Sequence, residues 1–189
     1  MAKLHEDPSE LAGRLLHRFG SIGRIVEASE PELRQAASSG EQWVDILLGV
    51  RQLVHDGMRE TLTRTRIDEN RETLFRYLLM SMRNLSEERV LAIFADSSGY
   101  VISEEIIAEG DHSHVSLTPR RIFGRAFQLG ARRIWLAHNH PSGCSYPSLS
   151  DIEHTRSLSK QAVALGLQID DHLVIGLREV TSMKDRGLF

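Results

Sequence analysis

The stretch His138-Asn139-His140-Pro141-Ser142-Gly143, followed by Ser148 and Asp151, decides how this chain is read. It has the form H-x-H-P-S-G-x4-S-x-x-D and places two imidazoles, a hydroxyl and a carboxylate within fourteen residues. Immediately before it, Ala131 to Ala137 is apolar, with Ile134, Trp135 and Leu136 at its centre, and reads as a short buried strand. Side chains two apart on a strand point the same way, so His138 and His140 at its end can share one metal ion. Pro141 and Gly143 then break the strand into a loop. Asp151 falls in the first turn of a helix predicted from Leu149 to about Leu165 and closed by Gly166. Two histidines and one carboxylate leave the fourth position of a tetrahedral zinc open to water, as in catalytic rather than structural sites. Bound zinc brings the pKa of water down to about 7, which supplies a nucleophile at neutral pH.

Parts of this pattern have plainer explanations. Ser148-x-x-Asp151 is also a helix capping box, in which Ser148 is the N-cap and Asp151 the first-turn acid, with no metal needed. The H-x-H pair alone carries little weight, because Asp111-His112-Ser113-His114 supplies a second one. Thirteen residues after His112 stands Arg125 rather than an acid, and no S-x-x-D follows at the matching distance. That pair reads as a polar loop ahead of a helix starting at Thr118-Pro119.

The full combination around His138 resembles the JAMM, or MPN-plus, metalloprotease motif in the form found in the RadC family of bacterial proteins. The resemblance extends over roughly residues 68 to 189. Leu91 to Asp96 resembles the first strand of that domain, and Ser97-Ser98-Gly99 with Tyr100 to Ile107 the following hairpin. Pro119 to Gly130 resembles the helix before the metal strand, and Asp171 to Gly176 a late strand. The resemblance implies an α/β fold of MPN/JAB (cytidine-deaminase-like) type, a mixed β-sheet flanked by helices. It further implies Zn2+ held by His138, His140 and Asp151, and Ser148 donating a hydrogen bond where negative charge develops. A glutamate at the start of the first strand would act as general base and acid; Glu88 best fits that place, with Glu87 as the alternative. Asp171 and His172 are candidates for support behind the ligands, although His172 reads equally as a strand-edge histidine bonded to backbone.

One residue departs from the family pattern. Where an acid commonly follows H-P-S-G, this chain has Cys144, its only cysteine, so no intrachain disulfide can form. A thiolate can ligate zinc and would silence the open position; the simpler reading is a small loop residue near the site. Glu104 and Glu105 read as a hairpin face, and His5, His17, His55 and His154 as surface or packing residues.

The chain has 189 residues, 41% hydrophobic, with a formal net charge of −3. No apolar run reaches the length of a membrane span, no apolar signal core opens the sequence, and one cysteine fits a reducing compartment; the expectation is a cytoplasmic protein without a membrane partner. Residues 1–67 read as a helical segment. Asp7-Pro8-x-Glu10 starts a helix with Leu11, Leu15, Leu16 and Phe19 on one face, ended by Gly20. Ile22 to Ala28 and Pro31 to Ala37 follow as short helices, and Trp43, Ile46, Leu47, Val50, Leu53 and Val54 mark a fourth. Another helix is expected over Glu69 to Met82. Residues 36–40 and Asp56-Gly57 read as flexible joints.

This front segment resembles the helix-hairpin-helix region that precedes the metal domain in many RadC proteins, in degenerate form. A phosphate-contacting hairpin uses closely spaced glycines, whereas residues 36–41 hold Gly40 alone, beside Glu41. Residues 1–84 carry 12 Lys or Arg against 13 Asp or Glu, and residues 85–189 carry 11 against 13. Neither half has the basic excess of a nucleic-acid surface. Arg59, Arg64, Arg66, Arg71 and Arg76 lie close together but among Glu60, Asp68, Glu69 and Glu72. The family resemblance implies a zinc hydrolase acting on a peptide or isopeptide bond in a peptide or protein substrate. Two alternatives stand beside it: a DNA-associated protein or nuclease, and a zinc-binding scaffold without turnover.

Overall fold

The computed structural model describes residues 7–37, 42–110 and 118–189, which fall into two compact units, residues 1–57 and 58–189. The first unit is helical. Helix α1, Pro8–Phe19, opens with the Asp7 carboxylate accepting from the Ser9 N–H and closes at Gly20, whose φ of 79° suits a residue without Cβ. Helices α2, Ile22–Glu27, and α3, Glu30–Ala36, start at the N-caps Ser21 and Ser29, the latter in a full capping box with Glu32. Leu15, Ile25, Ala28, Leu33 and Val44 form the small core of this unit.

Helix α4 runs without a break from Gln42 to Arg64. Asp56-Gly57, expected as a joint, is therefore helical, although the division between the two units falls there. One glycine costs a helix only about 1 kcal/mol, which its neighbours can supply. The α4 positions that follow helical spacing are not all core: Ile46, Val50, Leu53 and Val54 are exposed. Of the other expected joint, residues 38–40 lie outside the described residues, as do Glu41 and the second histidine pair, His112 and His114.

The second unit is a five-stranded mixed sheet in the order β2-β1-β3-β4-β5 between two layers of helices. A 3-10 turn, Ile67–Glu69, leads into helix α5, Arg71–Met82, where a single longer helix was expected. Strands β1, Glu88–Ala95, and β2, Val101–Gly110, form an antiparallel hairpin. Its turn is set by the Asp96 carboxylate, which accepts from the N–H groups of Ser98 and Tyr100, and by Gly99 at φ 92°. Helix α6, Pro119–Leu129, leads to strand β3, Arg133–Asn139, which pairs antiparallel with β1. Helix α7, Leu149–Ala164, then crosses over to strand β4, Gln168–Ile175, parallel to β3, and strand β5, Val180–Ser182, closes the edge.

Alternation along the strands sorts the core into two halves. Phe94, Ile134 and Leu136 pack with Ile122 of α6 and Leu158 of α7; Ile93, Trp135 and Ile175 pack with Leu74 and Leu78 of α5. A bulge in the β3–β4 ladder at Asp170 shifts this alternation. It lets Arg133, stacked over Trp135, hold Asp170 and Asp68 together. Among the described residues, no helix is long and apolar enough to cross a membrane.

Candidate metal centre

On β3, the face that buries Ile134 and Leu136 against α6 and α7 next presents His138, so this imidazole occupies a core position and is 1% exposed. His140 lies just past the strand end with the same parity. β1 runs antiparallel alongside, with Val90 opposite His138. Two residues back along that register, Glu88 comes opposite His140 and on the same face. Glu87 has the other parity, and its carbonyl, not its carboxylate, is engaged, by the Asn139 side-chain amide. The first turn of α7 brings Asp151. The donor atoms of Glu88, His138, His140 and Asp151 all lie within 4.8 Å of one another.

The distances decide whether these donors suit one ion. Donors bound at about 2.0–2.1 Å to a tetrahedral zinc stand roughly 3.3 Å apart. Here His138 Nε2 and His140 Nε2 are 3.0 Å apart, and Asp151 Oδ2 lies 3.6 Å and 3.5 Å from them. Three donors therefore outline one face of a tetrahedron. His140 Nδ1 lies 2.8 Å from the Cys144 carbonyl, which only accepts. Nδ1 must carry the proton, and in the neutral ring Nε2 keeps its lone pair facing the other donors.

Asp151 serves the helix as well. Its Oδ2 accepts from the Ser148 N–H at 2.7 Å and the Ser148 hydroxyl at 2.6 Å, and its own N–H donates to Ser148 Oγ at 3.1 Å. The capping box is complete, and the carboxylate that completes it also faces the histidines. The single Ser148 proton is engaged by Asp151, so the hydroxyl must rotate to serve another acceptor. Burial alone would raise the Asp151 carboxyl; the facing imidazoles, which donate to it when protonated, and the Ser148 hydroxyl outweigh it and hold the group far below the usual carboxylate range. His140 is raised, by Asp151 first, against the opposing effect of burial, with help from the Cys144 carbonyl and Glu88.

The remaining sequence candidates separate. Cys144 is exposed and enters through its main-chain oxygen; its thiol is outside the four-residue donor group. His172 is buried, with Nε2 2.8 Å from His138 Nδ1 and Nδ1 2.6 Å from Thr155 Oγ1. Burial holds it well below the usual histidine value, with further repulsion from His138. Asp171 points to the other face of β4. It accepts from the His172 and Lys184 N–H groups and the Ser182 hydroxyl, so it ties β4 to β5 rather than supporting the ligands. Glu104 accepts from Tyr77 and pairs with Arg59, and Glu105 pairs with Arg125.

The motif reading passes over two residues. Asn139, 1% exposed, accepts from the Arg89 N–H at 2.8 Å and donates to the Glu87 carbonyl at 3.0 Å, so it brackets Glu88 from the neighbouring strand. Thr155 stands four residues after Asp151 on the same helical face, a spacing visible in the sequence. The loop between β3 and α7 is held by close backbone packing. His140 N–H donates to the Ile175 carbonyl and Leu177 N–H to the Gly143 carbonyl, while a Cβ on Gly176 would stand 2.6 Å from that same Gly143 oxygen. Ser145 completes the packing, donating to Glu179 and accepting from Thr181.

Fold and site together define an α/β domain built around a ligand cluster able to hold one metal ion. The family model of the RadC-like JAB domain matches residues 68–188, and the chain belongs to that family. A UPF0758 protein of Rhodobacter capsulatus is 34% identical over 183 residues, covering 97% of this chain and 86% of its own length. One from Carboxydothermus hydrogenoformans is 30% identical over 184 residues, covering 97% of this chain and 81% of its own length. A third, from Vibrio parahaemolyticus, is 35% identical over 178 residues, covering 94% and 80%.

Proposed function

We propose that this chain is a zinc-dependent hydrolase of the JAMM type that cleaves a peptide or isopeptide bond. The observation that carries the reading is the donor triangle with edges of 3.0, 3.5 and 3.6 Å, with Glu88 beside it. His138, His140 and Asp151 would hold the ion. Bound there, zinc would supply Lewis acidity for activating water and polarising a carbonyl. Glu88 would take a proton from the attacking water and pass it to the leaving amine. Ser148, turned away from Asp151, donates its hydroxyl to the developing oxyanion.

The nucleic-acid reading draws less support. Its five clustered arginines are each engaged by a carboxylate: Arg59 by Glu104, Arg64 by Glu60, Arg66 by Glu69, Arg71 by Asp185 and Arg76 by Glu72. Paired charges leave little excess field to track a phosphate backbone.

The test is a pair of variants assayed for bound zinc and for turnover of a mixed peptide and isopeptide library. His138→Ala is expected to lose both. Glu88→Gln is expected to keep zinc at one equivalent and to lose turnover. A wild-type chain that holds zinc and cleaves nothing would turn the reading to the scaffold, and one that binds no zinc would remove it.

A further inference from the structure

Thr155 Oγ1 stands 2.6 Å from the Asp151 carbonyl oxygen and 2.6 Å from His172 Nδ1. Two oxygens this close repel unless a proton lies between them. A carbonyl has none to give, so the single hydroxyl proton of Thr155 points at Asp151. Toward His172 the hydroxyl can then only accept, and His172 Nδ1 must carry a proton. The ring is buried, and a second proton would make it a buried cation beside three metal-ligand candidates, so its Nε2 is bare. That bare nitrogen, 2.8 Å from His138 Nδ1, needs a donor, and His138 Nδ1–H is the one present. In neutral His138 the remaining nitrogen, Nε2, keeps its lone pair, and it faces His140 and Asp151.

We propose that Thr155 is a positioning residue that fixes the proton order of a Thr155–His172–His138 relay and thereby presents His138 Nε2 as a bare zinc ligand. The inference rests on the reading of His138, His140 and Asp151 as zinc ligands. The relay does for His138 what the Cys144 carbonyl does for His140, through a second imidazole instead of a main-chain oxygen. Partners of this kind set ring orientation and tautomer, and their loss typically weakens metal binding about ten- to hundred-fold. Because the acceptor of the Thr155 proton is the carbonyl of Asp151, one hydroxyl also ties the main chain of one ligand to the His172 imidazole that backs another.

Two measurements on the full chain test this. Imidazole 15N shifts of the zinc-free protein report which ring nitrogen holds the proton, and competition with a chelator reports zinc affinity. His138 and His172 are both expected as Nδ1–H tautomers. Thr155→Val, which keeps the shape and removes the hydroxyl, is expected to shift His172 toward Nε2–H and to bind zinc about ten- to hundred-fold more weakly. Thr155→Ser is expected to restore both readouts. An Nε2–H tautomer at His138 in the wild type overturns the proposal, as does unchanged zinc affinity in Thr155→Val, or a serine variant that folds but fails to rescue. A wild-type chain with no zinc affinity overturns the ligand reading and this proposal with it. Normal zinc binding with an indifferent Thr155 overturns this proposal alone.

Discussion

Replacing Asn139 by leucine removes the clamp on Glu88 while keeping the branched shape of the side chain. Asn139 is 1% exposed and makes two hydrogen bonds to β1, accepting from Arg89 N–H at 2.8 Å and donating to the Glu87 carbonyl at 3.0 Å. A buried backbone group left without its partner costs about 1–3 kcal/mol. Both bonds are part-buried, so water replaces some of what is lost, and the two together, less the gain from burying a leucine side chain, give about 1–3 kcal/mol. A domain of ordinary stability, about 5–15 kcal/mol, survives that loss and stays folded. The stretch of β1 carrying Glu88 then loses its fixed position, and a displacement of about 1 Å at a reacting group is worth roughly hundred-fold in rate. The zinc ligands proposed on β3 and α7 keep their own supports. Urea unfolding is expected to show a loss of about 1–3 kcal/mol, chelator competition near-wild-type zinc affinity, and peptide turnover a fall of about hundred-fold. A variant within about 0.5 kcal/mol of wild type, with unchanged turnover, would refute the clamp.

Two further outcomes follow from the same geometry. Gly176→Ala places a Cβ 2.6 Å from the Gly143 carbonyl and 2.8 Å from Ser145 N, so the loop behind His140 must move; thermal unfolding should show about 1–3 kcal/mol lost, with weaker zinc binding, and an unchanged melting point would contradict the packing. In chelated protein, His140 is raised above its ordinary 6.5 by Asp151, so its contribution to stability is full below that value and is lost as pH rises through the raised one. Urea unfolding across pH should show wild type most favoured over Asp151→Asn below 6.5 and losing that margin at alkaline pH. Zinc affinity should move the opposite way, falling in acid as protons compete for the ring nitrogens.

Strand β3 and helix α7 are legible in the sequence because their signals are local: an apolar run, a capping pattern and a closing glycine. The strand continues through His138 and Asn139, where polar residues hide it from a reading by hydropathy. Glu88 and Glu87 cannot be separated along the chain. The antiparallel register with β3 separates them, and a register is a property of two strands. Asp171 and His172 are adjacent in sequence and on opposite faces of β4, with the alternation reset by a bulge that the sequence does not announce. The continuous α4 at Asp56-Gly57 shows a similar limit, since a glycine marks a joint only where nothing else sustains the helix.

Of the residues that face or support the donor cluster, His138, His140, Ser148, Asp151, Thr155 and His172 all lie between the start of β3 and the end of β4. Glu88 alone comes from the neighbouring hairpin. Proteins open locally in cooperative pieces rather than uniformly. Glu88 is the first residue of β1, ahead of the mostly buried run Val90 to Ala95, so fraying of that strand end alone carries Glu88 away and leaves the other donors assembled. On the proposed roles, retention of the ion rests on the segment from β3 to β4 and movement of its proton on the end of β1, so the second can be lost without the first.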